Sequence, residues 1–247
     1  MQWIRESGSV LGRTVSEVRR DLMADRCRKA APDMLAKPRR EIAPLSLDRS
    51  TLERVAECLG AGLALGVMTN LAQGWLPGSW NQIANSGSAW SAVAFVAGAL
   101  LADRGVRVAV AGGLAAAVGL VTGYYGFAEL GRGGMGMLTP GLVWLFMAVV
   151  AGPLFGTAGA WWRCGRPQRR ILGGAALAGA IGAEAAHYAF VLQYIPQACV
   201  CAVLMLGLPL AMARGNRERA LTLAAAVPLA LCAYAVVYQG FLGLVLA

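Results

Sequence analysis

Residues 170–214 of this 247-residue chain decide its fold class: they read RILGGAALAGAIGAEAAHYAFVLQYIPQACVCAVLMLGLPLAMAR. The stretch holds two apolar windows, 170–193 and 195–213, joined by a very tight turn. A helix of about 20 apolar residues crosses the roughly 30 Å hydrocarbon layer of a membrane. The stretch therefore predicts two consecutive membrane-spanning helices.

The composition extends this prediction to the whole chain. Hydrophobic residues make up 57% of it and charged residues 14%, with a mean hydropathy of +0.57. Soluble domains carry about a quarter charged residues, so this chain cannot cover a globular surface with charge. The chain has one histidine, His187, which leaves few ligands for a transition metal. We expect an all-α polytopic membrane protein with neither a metal nor a cofactor.

Seven apolar windows follow one another after a polar amino-terminal segment. They run over 52–73, 88–103, 106–129, 140–162, 170–193, 195–213 and 219–245. The second is the shortest. The sequence therefore predicts a basic arm over residues 1–50 and a seven-helix transmembrane domain over 51–247.

The net charge of +9 takes its meaning from its position along the chain. With the amino terminus inside, every lysine and arginine except Arg132 falls on the inner side of the seven windows. This asymmetry is the positive-inside rule. We predict an N-in, C-out, multi-pass protein of a bacterial cell membrane that binds no nucleic acid.

The basic arm is expected to lie near the membrane surface. Apolar residues from Leu11 to Leu22 recur at helical spacing among arginines. This pattern favours an amphipathic helix on the anionic inner leaflet. A solvated basic arm explains the same charges equally well.

Glycines recur at four-residue spacing inside the windows, which lets helix backbones approach closely in lipid. The pairs are Gly62/Gly66, Gly119/Gly123 and Gly152/Gly156. We expect these pairs to form helix contacts and not a ligand site.

Glu184 is the principal candidate for chemistry. It lies near the middle of the fifth window, where a charged group is costly unless it is neutralised or paired. His187 and Tyr188 follow three and four residues later, on the same helix face. A neutral carboxylic acid there is a proton donor, so we predict catalytic roles for Glu184 and His187. A hydrogen-bonded structural acid is the alternative for Glu184. A buried imidazole that only positions Glu184 is the alternative for His187.

A second acid, Glu129, lies toward the outer end of the third window, and we predict it as a further catalytic residue. Solvation at the membrane interface would explain it as well. The outer half of the predicted bundle also collects polar and aromatic side chains, and an interfacial aromatic belt is the alternative explanation for several of them. The predicted substrate-binding residues are Tyr188, Tyr125, Tyr124, Trp90, Trp144, Asn85, Tyr234 and Tyr238.

The stretch from Trp75 to Trp90 is longer and more polar than a connecting turn needs. Two structures are compatible with it. One is a re-entrant lid over the outer pocket, and the other is an exposed loop.

Several short motifs occur within residues 55–245: Asn85-Ser86, Trp90 to Phe95, Gly123-Tyr124-Tyr125-Gly126, Ala151 to Gly156, Trp161-Trp162-Arg163 and Ala183-Glu184. This set resembles an actinobacterial family of small multi-span membrane proteins of unknown function. In size, span number and use of buried acids, the chain is also similar in architecture to the integral membrane terpene cyclases. That similarity implies a metal-independent enzyme of the intramolecular isomerase or lyase type.

Three functions are compatible with these features. The first is a proton-initiated terpene cyclase, of a meroterpenoid or indole-terpenoid type, acting on an apolar isoprenoid-type molecule. Glu184 would protonate the substrate, aromatic rings would stabilise carbocations, and Glu129 or His187 would take the last proton. The second is a proton-coupled transporter or channel for a small solute, and the third is an accessory membrane subunit. The almost purely apolar inner halves of the windows favour the enzyme.

Overall fold

The computed structural model describes residues 48–132 and 138–243. Helices and turns make up these ranges, and no β-strand occurs within them. The predicted amino-terminal arm, including the Leu11–Leu22 segment, lies outside the described residues apart from positions 48–50. Its predicted contact with the inner leaflet stays a prediction.

Eight α-helices and several shorter turns follow one another along the described chain. They are α1 (Arg49–Trp75), a 3-10 turn (Gly78–Trp80), α2 (Asn81–Ala84), α3 (Gly87–Leu100), a second 3-10 turn (Ala102–Arg104), α4 (Val106–Gly131), α5 (Leu138–Cys164), α6 (Pro167–His187), α7 (Ile195–Met212) and α8 (Asn216–Ala233). Two π-helical segments, Tyr188–Leu192 and Tyr234–Leu242, continue α6 and α8.

Seven of the described segments are long and apolar enough to cross a membrane. The prediction of an all-α polytopic membrane protein with seven helices is therefore confirmed. The second span differs most from its predicted window, 88–103. It runs over Gly78–Leu100, because α3 ends at Leu100 and the short helical segments before α3 belong to the same span.

The loops that carry most of the arginines lie together at one end of the bundle, which we call the basic end. There, Arg104 donates to the Ser50 hydroxyl over 3.0 Å, and Arg170 forms an ion pair with Glu218. Arg132 follows the other end of α4. This separation agrees with the charge asymmetry of the predicted topology, while the orientation in the cell stays a prediction.

The long helices pack in two groups, and α5 belongs to both. Helices α1, α3 and α5 pack on α4, and helices α5, α7 and α8 pack on α6. Glycines lie at the closest contacts: a Cβ built at Gly66 would overlap the carbonyl oxygen of Leu120, and one at Gly98 would overlap Gly156. Each of the three predicted glycine pairs lies against a neighbouring helix backbone in this way. The expectation that they mediate helix packing is confirmed.

We predict opposite effects for Gly66→Ala and Gly60→Ala, two substitutions on α1. At Gly66 the added methyl group meets the α4 backbone, so the free energy of unfolding should fall by about 1–3 kcal/mol. At Gly60 nothing lies within 4 Å of the new Cβ, and the higher helix propensity of alanine should leave stability equal or raise it by up to about 1 kcal/mol. Thermal unfolding of the purified variants in detergent measures both. Equal melting temperatures would contradict the packing assignment.

Candidate functional site

The carboxyl group of Glu184 lies inside the bundle, with 4% of the residue exposed. Three donors surround it. Its Oε2 accepts hydrogen bonds from the Ser86 hydroxyl at 2.5 Å and the Ser88 amide at 3.1 Å. Its Oε1 accepts one from the Tyr188 hydroxyl at 3.3 Å. Hydrogen bonds of this kind offset the cost of burying a polar group in an apolar interior.

Two of these donors belong to the start of α3. Ser86 is the residue before the helix, and its hydroxyl also accepts from the Ala89 amide at 3.1 Å, which is an ordinary helix cap. The Ser88 amide belongs to the first helical turn, where backbone amides have no partner within the helix. Glu184 therefore lies at the partially positive end of α3, which favours a negative charge there.

The Ser86 and Ser88 hydroxyl oxygens lie 3.1 Å apart. Together with Glu184 they form a continuous chain from the carboxyl Oε2 through Ser86 Oγ to Ser88 Oγ. Either serine can donate to the other. A chain of hydroxyl groups whose hydrogen bonds can reverse direction is able to pass a proton.

The segment before α3 covers this end of α6. The backbone carbonyl of Gln82 lies 3.2 Å from the Tyr188 hydroxyl and shares its single proton with Glu184 Oε1. Farther back, the Ser79 hydroxyl lies 2.8 Å from the side-chain amide of Gln197 on α7. Within the Trp75–Trp90 stretch, residues 75–78 are exposed and residues 81–86 are half-buried or buried. None of residues 75–86 lines the cavity described below, so a lid over the pocket stays a prediction. The predicted binding residue Asn85 ends this segment, and its buried Oδ1 has no partner within the described structure.

Aromatic side chains surround Trp90, in the first half of α3. Its ring centroid lies 5.4 Å from those of both Tyr124 and Trp144, and Tyr125 contacts Tyr124 at 5.0 Å. The Tyr124 hydroxyl is hydrogen-bonded to the side chain of Gln73. The packing thus brings four predicted binding residues into one cluster.

His187 lies against α8. Its ring stacks on Tyr238 with 4.5 Å between centroids, and Tyr238 stacks in turn on Tyr234 at 6.3 Å. The buried Nδ1 of His187 has no hydrogen-bond partner among the described residues. The groups that hydrogen-bond Glu184 are therefore Ser86, Ser88 and Tyr188, and the predicted roles of His187 stay predictions.

A cavity of about 200 Å³ lies beside the Glu184 site. Its wall is mostly apolar and includes three aromatic rings of the bundle interior: Trp90, Trp144 and Phe155. Ser88 and Ala183 also line it. Glu184 itself is not part of the wall. Ser88 is the lining residue whose amide bonds to Glu184 and whose hydroxyl is joined to Glu184 through Ser86.

The cavity reaches the outer surface of the bundle between α5 and α8. Val150 and Leu154 of α5 line it while being 54% and 58% exposed, and Val237 and Tyr238 line the α8 side. In a membrane this surface faces lipid. An apolar molecule could therefore enter the cavity from the bilayer.

Glu129, the second predicted acid, is half-buried near the end of α4 and does not line the cavity. The described residues contain no group of three or more histidine, cysteine, aspartate or glutamate side chains that could hold a metal ion.

The chain was compared with known proteins. Residues 46–243 match the model of a family described as a family of unknown function, DUF6518. The chain belongs to this family. No curated protein and no solved structure matches it.

The matched region of the DUF6518 family covers the whole site. Every group that hydrogen-bonds Glu184 and every residue of the cavity wall lies within it. The predicted arm lies almost entirely before it. The site therefore belongs to the part of the chain that defines the family.

The sequence did not reveal Ser86 and Ser88 as partners of Glu184. They stand in it only as polar residues near the end of the stretch from Trp75 to Trp90. The signal that could have singled them out is the helix-capping pattern, a serine placed directly before an apolar run. Nothing in the sequence indicated that this cap would meet an acid 98 residues later.

We predict that Ser86→Ala lowers the free energy of unfolding by about 1–3 kcal/mol, because it removes both the cap of α3 and a donor to a buried carboxyl group. Ser91→Ala is the matched control. Among the described residues, the Ser91 hydroxyl donates only to the Gly87 carbonyl of its own helix, so its loss should be nearly neutral. Thermal unfolding in detergent compares the two. The prediction fails if both variants melt at the parent temperature.

Proposed function

We propose that this protein is an integral membrane enzyme that moves a proton to and from an apolar, isoprenoid-type molecule. In its specific form it is a metal-independent terpene cyclase, an isomerase whose product has the mass of its substrate. The observation that carries the proposal is the position of Ser88. This residue lines the apolar cavity and is joined through Ser86 to the carboxyl group of Glu184.

The hydroxyl chain gives the reaction a balanced proton path. The reaction begins with Glu184 neutral. The carboxyl proton of Glu184 passes to Ser86 Oγ while the hydroxyl proton of Ser86 passes to Ser88 Oγ. At the same time, the hydroxyl proton of Ser88 passes to an alkene carbon in the cavity. A carbocation and the Glu184 carboxylate result. Ring closure forms a new carbon–carbon bond, and loss of a proton from a neighbouring carbon restores an alkene. The same chain run in reverse returns a proton to Glu184, so no other reactant is needed.

The surroundings of the chain suit both protonation states of Glu184. The three donors and the start of α3 stabilise the carboxylate that forms in the reaction. The apolar interior favours the neutral acid before it. A buried acid with this balance is able both to give and to take a proton.

The cavity supports an apolar substrate. Rings of Trp90, Trp144 and Tyr238 border it, and the faces of aromatic rings stabilise passing cations. Its volume of about 200 Å³ is smaller than the roughly 300–1,000 Å³ of pockets that enclose a drug-sized ligand. We infer that the cavity holds the reacting isoprenoid segment, while the rest of the molecule extends between α5 and α8 toward the bilayer.

A proton-coupled transporter is the second candidate. It would need a polar route from Glu184 to the basic end. On that side of Glu184, the buried residues of α6 from Gly173 to Ala183 are glycine, alanine, leucine and isoleucine. This apolar packing supports the enzyme over the transporter. The third function, an accessory subunit, would leave the cavity without a role.

We predict that Glu184→Gln abolishes product formation, because glutamine has nearly the same shape but cannot pass a proton in this way. Membranes carrying the parent or the variant are fed a panel of linear prenylated quinols, indoles and epoxides, and lipid extracts are compared by mass spectrometry. The expected product has unchanged mass and a shifted retention time. Glu129→Gln is the control and should retain product, since Glu129 neither lines the cavity nor belongs to the chain of Glu184, Ser86 and Ser88.

The absence of any product across the panel, with folded parent protein present, would count against the cyclase. Proton flux and solute uptake in proteoliposomes under a pH gradient would then test the transporter. Product formation by Glu184→Gln at the parent rate would remove Glu184 from the mechanism.

The hydroxyl chain predicts a separate effect for Ser88→Ala. This variant keeps the Ser88 backbone amide bond to Glu184 but removes the last hydroxyl of the chain. We expect turnover to fall by about 10²–10⁴-fold, the usual contribution of general acid–base catalysis, with little change in melting temperature. Ser91→Ala is the matched control, because Ser91 lines the same cavity outside the chain of hydroxyls. Equal turnover in the two variants would exclude the relay.

A further inference from the structure

A groove of about 750 Å³ runs along the outside of the bundle between α1 and α3, starting at the basic end. Both helices pack on α4, and Ala116 of α4 lies at the bottom of the groove. The described linings of the groove and of the cavity beside Glu184 have no residue in common. The apolar walls of the groove are Ala61 and Leu65 of α1 and Val93, Val96 and Leu100 of α3.

The apolar walls of the groove face the surroundings of the bundle. Leu65 is 37% exposed, Val96 53% and Leu100 67%. From Arg54 at one end to Leu65 the groove follows α1 for eleven residues, which is roughly 16 Å at the helical rise of about 1.5 Å per residue. That length is about half of the roughly 30 Å hydrocarbon layer. The groove therefore has the length of one leaflet.

Four charged side chains lie at the basic end of the groove: Arg54, Glu57, Asp103 and Arg104. Arg54 is paired with Glu57 over 2.7 Å. The Arg104 guanidinium donates to two neutral hydroxyl groups, those of Ser50 and Thr51. Two positive and two negative groups thus line the mouth, and Asp48 is a further carboxylate near Arg104.

We propose that this groove binds one phospholipid whose headgroup carries both a phosphate and a primary ammonium. Arginine guanidinium groups match phosphate oxygens, and carboxylates accept hydrogen bonds from an ammonium. The phosphate lies at Arg104 and Arg54, and the ammonium at Asp103 and Glu57. One acyl chain follows the apolar walls toward Leu65. The carboxylates beside the two arginines favour this zwitterionic headgroup over an anionic one.

The test uses the full chain in bilayers of equimolar phosphatidylethanolamine, phosphatidylcholine and phosphatidylglycerol, released into detergent and analysed by native mass spectrometry. We expect one phosphatidylethanolamine to be retained in preference to the other two. Ala61→Trp should reduce that adduct about tenfold, a change of about 1.4 kcal/mol in binding, because the indole occupies the groove. Ala64→Trp is the matched control, since Ala64 is exposed on α1 and does not line the groove.

The headgroup contact has its own pair of variants. Arg104→Gln should reduce the adduct by a similar factor, whereas Arg107→Gln should not, because Arg107 is an exposed arginine outside the groove. If Arg104→Gln does not yield folded protein, the amount of adduct retained by Ala61→Trp compared with Ala64→Trp decides the result, since both alanines are exposed. Preference for phosphatidylglycerol, equal retention by Ala61→Trp and Ala64→Trp, or a dimer in place of the lipid adduct would each overturn the proposal.

Discussion

A carboxyl group inside an apolar helix bundle needs hydrogen-bond donors, and the donors of Glu184 organise one end of this protein. They come from the start of α3 and from Tyr188 on the same helix as the acid. To bring the start of α3 to that depth, the chain after α1 turns through two short helical segments and covers α6. Removing the acid from this arrangement would leave the buried serines with no charged partner, so helix start, covering segment and acid depend on one another.

Side-chain size along the helices explains why a cavity lies where it does. Toward the basic end, Gly98 and Gly159 meet the backbones of the facing helices, and α3 and α5 lie in direct contact. Toward the other end, Trp90 and Trp144 stand between the same two helices. Both rings line the apolar cavity, which opens toward lipid at this end.

Much of this organisation could be predicted from the sequence. Hydropathy located the seven helices, and four-residue spacing identified the glycines of the helix contacts. Spacing along one helix also placed Tyr188 beside Glu184. The same spacing placed His187 on that face, yet its ring stacks on Tyr238, because helical periodicity does not say which neighbouring helix a side chain meets. The partners Ser86 and Ser88 were missed for the same reason.

The number of membrane spans, the end of the bundle that collects the arginines and the presence of an interior acid can all be read from the residue order. These follow from segment length, composition and charge position, which are properties of consecutive residues. The hydrogen-bond partners of Glu184, the opening of the cavity and the groove between α1 and α3 become known only when the helices are packed. Those features depend on contacts between residues far apart in the chain, and such contacts are set by how whole helices pack.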